Sequence, residues 1–82
     1  MARLVYIVEA NPGGETWQQV SRVTEDDATA VGDFRAAVFE EEARRAHKRR
    51  VLRLRLELID ANGRTHDAET LAMWRPDLGF AS

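Results

Sequence analysis

The chain has 82 residues, 44% of them hydrophobic and 32% charged, with 12 Lys and Arg against 14 Asp and Glu. At 9.3 kDa it has room for one core and a modest margin of stability. The balance excludes a collagenous chain and a disordered tail. Its longest apolar run, Leu4-Val5-Tyr6-Ile7-Val8, is far short of the ~20 residues of a spanning helix.

Cysteine is absent, which excludes a disulfide framework, a thiol nucleophile and a cysteine-ligated zinc. No charged segment with an apolar stretch behind it opens the chain. A cytoplasmic protein is therefore expected, with residues 1–82 as a single domain and no contact with membrane.

Residues 3–10 are apolar on both faces and rich in β-branched and aromatic side chains, as in a central strand. Asn11-Pro12-Gly13-Gly14 breaks the run with four turn formers. Residues 15–23 resume with an imperfect alternation, which predicts a bulged edge strand closing a hairpin over 3–23.

Thr24 is a candidate N-cap with Asp27 three residues on. Glu25, Asp26 and Asp27 place negative charge where a helix dipole is positive. Apolar residues recur through Val31, Phe34 and Val38 to Ala46, and Arg44, Arg45, Lys48 and Arg49 stand at the far end. A helix over about 25–49 is predicted. Gly32, with Asp33 behind it as a second N-cap, is where it would break.

Val51 to Asp60 alternates cleanly, with Leu52, Leu54, Leu56 and Leu58 on one face and Arg53, Arg55 and Glu57 on the other. Asn62-Gly63 then signals a two-residue type I′ hairpin. That turn would set Leu54 against Leu71, Leu52 against Met73 and Val51 against Trp74, making residues 50–74 a second hairpin. A short helix over 67–74 is the rival reading. Residues 75–82 are expected as a tail.

The order is ββαββ: an α+β fold with a four-stranded, mainly antiparallel sheet and one long helix on one face. The four leucines are expected to meet Phe34 and Val38. One helix leaves the other sheet face in need of cover.

Catalytic, cofactor and metal sites are not expected. His47 and His66 lack a serine at nucleophile-like spacing, and His66 and Asp67, as strand neighbours, point to opposite faces. Glu41, Glu42 and His47 lack the spacing that aims ligands at one ion. Pro12-Gly13-Gly14 joins two strands, whereas a phosphate loop leads into a helix.

Charge is strongly segregated. Residues 25–42 carry seven acids against Arg35 alone, and residues 44–55 carry seven bases and no acid. Glu40, Glu41, Glu42, Arg44, Arg45, Lys48, Arg49, Arg53 and Arg55 are the charged-surface candidates. Nucleic-acid binding through 44–55 is the second reading of function. Against it stand a pI near 5.6 and no aromatic among the arginines.

Large apolar residues exceed what one helix and one sheet face can hide. Phe39, Ala43, Ala46, Val51, Ile59, Trp74, Leu78 and Phe80 are the interface candidates, and homodimerisation is the expected result. The leading expectation is a small non-enzymatic module that docks on an unidentified protein target. It would serve as a regulator, accessory factor or inhibitor of the kind encoded by phage and mobile elements, for example against a bacterial defence system.

Overall fold

A computed structural model of the chain describes residues 2–14 and 16–81. Strand β1 (Arg3–Asn11) is followed by β2 (Gln18–Thr24), helix α1 (Asp27–Glu42) and a single 3-10 turn at Ala46–Lys48. Then come β3 (Val51–Ile59), β4 (Thr65–Arg75) and β5 (Gly79–Ala81). The fold is α+β, with one helix packed on an antiparallel sheet in the order β2-β1-β3-β4-β5.

The sheet has five strands where four were expected. Residues 79–81 return along β4, pairing Trp74 with Phe80 and Arg75 with Gly79. Gly79 makes the reversal with a φ of 75°, a conformation that costs glycine little. The C-terminal tail is thus partly a strand, too short for periodicity to reveal. Residues 65–74 lie wholly in β4, which rejects the short-helix reading.

The β1–β2 hairpin matches the expectation, including the irregularity, which falls between Val8 and Glu9 and leaves Val20 as the extra residue. Asn11 shapes its loop. Its Oδ1 accepts the Gly13 N–H at 2.8 Å, and its Nδ2 donates to the Gly14 carbonyl at 2.8 Å.

The second hairpin departs from the expected geometry. The Gly63 N–H donates to the Asp60 carbonyl and the Asp60 N–H to the Arg64 carbonyl, closing a three-residue loop instead of two. Gly63 has a φ of 82°, while Asn62 is not among the positive-φ residues, so this is not a type I′ turn. The expected register holds from Arg55–Thr70 to Leu58–Asp67. A bulge at Leu71 then shifts it, so Leu54 faces Ala72 and Leu52 faces Trp74. The bulge turns Trp74 toward the helix and into the core.

Helix α1 runs unbroken through Gly32 but is shorter than predicted at both ends. Asp26, not Thr24, is the N-cap: its Oδ1 accepts the Thr29 N–H at 3.0 Å and its Oδ2 the Thr29 hydroxyl at 2.7 Å. Glu25 stands before it in the left-handed region, φ 56°, with its N–H donated to the Leu4 carbonyl. The helix stops at Glu42, so Arg44, Arg45, Lys48 and Arg49 lie beyond its last turn.

The core unites Val8, Ala10, Leu52, Leu54 and Trp74 from the sheet with Ala30, Phe34, Ala37 and Val38 from α1. Leu52 and Leu54 meet the helix as predicted. Leu56 and Leu58 share their face but run past the helix and stay half-buried. On the opposite face Val5 and Ile7 are buried at 2% and 9% exposure without any second layer. Ile7 lies between Arg22 and Arg55 on the neighbouring strands, and long side chains of this kind cover apolar surface with their methylenes while their charged ends reach water. The far face is not the bare apolar surface the sequence implied.

Candidate protein-interaction surface

Neighbouring strands lie ~4.8 Å apart and a helix with its side chains is ~10 Å wide, so one helix shields about two to three strands. Here α1 packs mainly on β2, β1 and β3, and over β4 and β5 it reaches only the end marked by Trp74 and Phe80. Beside it runs an open groove of about 310 Å³ lined by Val31, Phe34, Arg35, Leu54, Ala72 and Phe80. Phe80 meets Phe34 edge to face, with ring centroids 6.2 Å apart, yet remains 65% exposed.

Helix α1 carries apolar residues on both sides. Ala30, Phe34, Ala37 and Val38 face the sheet. By the 100° step of the helix, Ala28, Gly32, Ala36 and Phe39 point outward, and all four are exposed. Phe39 reaches 76% exposure.

The eight interface candidates do not form one patch. Phe39, Leu78 and Phe80 are exposed, and Ala43 and Ala46 are exposed in the link after α1. Val51 and Ile59 are half-buried at opposite ends of β3. Trp74 is buried in the core. Val31 and Phe34 belong to the groove and were not on the list, because only the position of β5 reveals the opening.

The charged candidates separate in the same way. Glu41 is buried at 1% exposure, not part of a solvated acidic face, while Glu40 and Glu42 are exposed. Its Oε2 accepts the Arg50 N–H at 2.6 Å, its Oε1 accepts the Arg50 guanidinium at 3.0 Å, and Arg44 approaches at 3.4 Å. Arg49 donates to the carbonyls of Arg44 and Glu42 at 3.1 and 2.9 Å and so caps the end of α1. Arg53 pairs with Glu9 at 2.8 Å, and Arg55 with Glu57 at 3.4 Å. Trp17 stacks on Arg53, 3.7 Å from ring centroid to guanidinium carbon. Arg44, Arg45 and Lys48 alone of the tract are strongly exposed.

Arg50, Glu9 and Trp17 were missed as partners in these contacts. Each acts across 9 to 44 positions of chain, which no local spacing encodes.

His66 contacts Asp60 at 2.7 Å, not Asp67. The Arg64 N–H and then His66 hold the Asp60 carboxyl below the usual aspartate value. His47 is exposed in the 3-10 turn. Among the described residues no three His, Asp or Glu side chains converge as a metal site, and no helix is long and apolar enough to cross a membrane. No protein-family model, curated protein or solved structure matches the chain.

Proposed function

We propose that the protein is a non-enzymatic protein-binding module that works as a homodimer, acting on a partner protein as a regulator, accessory factor or inhibitor. The observation that carries this reading is a helix apolar on both sides with only one side packed. A helix of that kind belongs in a middle layer. A second copy, related by a two-fold axis, would lay its α1 in the groove beside the first, so that two helices lie between two sheets. Ala28, Gly32 and Ala36 allow the close approach, and Phe39 and Phe80 supply the buried anchors.

The test is light scattering at tens of micromolar. The expected mass is about twice 9.3 kDa. Phe39→Asp and Phe80→Asp should each return it to one chain without loss of helix signal. A single-chain mass for the parent protein overturns the dimer.

The alternative is nucleic-acid binding through 44–55. Trp17 on Arg53 favours it, as an aromatic beside an arginine on a sheet face. Weighing against it, Glu9 and Glu57 neutralise Arg53 and Arg55, and Arg49 and Arg50 turn inward to the end of α1.

A further inference from the structure

Strand β4 has eleven residues, but β5 pairs only with Met73, Trp74 and Arg75. The outer edge of residues 65–72 therefore has no strand against it among the described residues. Such an edge presents a row of backbone donors and acceptors, a template for an added strand.

What the edge accepts is set by two side chains. Asp67 and Glu69 pair with Leu58 and Leu56 and so stand on one face of the sheet, both exposed. Neither has an ion-pair partner among the described residues. In an antiparallel ladder, paired residues share a face. Any two-fold register joining 67–69 to the same stretch of a second copy would oppose Asp67 to Asp67, Asp67 to Glu69 or Glu69 to Glu69. All three set carboxylate against carboxylate, which is unfavourable. The edge is closed to its own kind.

The same side chains suit the opposite charge. We infer that the free edge of β4 binds an extended basic segment of another protein, as an added strand with Lys or Arg at alternate positions facing Asp67 and Glu69. At present the Asp67 carboxylate accepts the Ala68 N–H at 2.9 Å. That N–H points off the sheet edge, and an incoming carbonyl would take it over, releasing the carboxylate to a basic side chain. Beside the acids, Leu4, Leu56 and Leu58 line a shallow cleft that includes Asp67 and Glu69, giving the methylenes of a long side chain an apolar bed. Of this stretch only Ala72, at its far end, also lines the groove beside α1, so a peptide centred on Asp67 and Glu69 tests the inference separately from the dimer.

The probe is a capped heptapeptide alternating lysine and valine. Its controls are a glutamate–valine version and a lysine–valine version N-methylated along one edge, which keeps the charge and removes strand pairing. Expected is binding with amide shift changes confined to 65–72, at least tenfold weaker for Asp67→Lys/Glu69→Lys. Ala68→Pro should weaken it similarly, since the N–H it removes serves no ladder bond within the sheet. Equal binding of the N-methylated peptide, shift changes elsewhere, or no binding at millimolar peptide would each overturn the inference. Should Ala68→Pro fail to fold, the charge reversal and the N-methylated peptide still decide.

Discussion

Glu41, on the last turn of α1, holds Arg50 by both its backbone N–H and its guanidinium, at 2.6 and 3.0 Å. Arg50 extends in turn to Gln18 at 3.3 Å. One buried carboxylate thus ties the end of the helix to the start of β3 and of β2.

Removing that carboxylate leaves a guanidinium with its main partner gone, at a site where Arg50 is only 22% exposed. Glu41→Ala should cost about 3 kcal/mol, a large share of the stability of so small a domain. Chemical denaturation checks it. Glu40→Ala, on the exposed side, should stay within about 0.5 kcal/mol.

The reach of the helix predicts a gradient along β3. Leu54, at 3% exposure, packs in the core with Phe34 and Val8. Leu54→Ala should cost ~2–5 kcal/mol, while Leu58→Ala, beyond the helix, should cost about 1 kcal/mol or less. Equal losses would mean that α1 covers the whole leucine row.

Acid should weaken the protein through two aspartates. Asp26 is held below the usual value by the Thr29 hydroxyl and then the Thr29 N–H, and Asp60 by the Arg64 N–H and then His66. A carboxyl depressed in the folded state contributes stability above its unfolded pKa of about 3.9, and that contribution disappears as pH falls through the folded value. Melting temperature should therefore hold from neutral pH down to about 5 and fall below about 4. Asp26→Asn keeps a capping oxygen but does not titrate, so it should flatten part of that fall.

Nucleic-acid affinity should be weak and shallow in its salt dependence. Arg44, Arg45 and Lys48 are the strongly exposed bases of the tract. Three phosphate contacts give a log–log slope no steeper than about −3 on duplex DNA. No binding is expected at physiological salt in a filter or anisotropy assay. Micromolar binding abolished by Arg53→Glu would favour the alternative function.

The elements were legible wherever the physics is local. Alternation in 51–60 marked β3 and its two faces, the double-sided apolar run marked β1 as a strand with neighbours on both sides, and the acids at 25–27 marked the start of α1 to within two residues. These follow from side-chain periodicity and from the unsatisfied N–H groups of a helix start, which need only neighbours a few positions away.

Tertiary structure alone decided the rest. Whether Arg44 to Arg49 continue the helix depends on Glu41 reaching Arg50 and on Arg49 folding back to the Glu42 carbonyl. Whether Trp74 is core or surface depends on one bulged residue, Leu71, because a one-residue slip exchanges the faces of a strand. The strand at 79–81 exists because β4 offers it an edge. Ile7 is flanked by Arg22 and Arg55, and Val5 by Thr24 and Glu57, so the burial of both turns on which strands adjoin β1. Each of these turns on which strands become neighbours and in what register, a property of the assembled sheet that no short stretch of chain carries by itself.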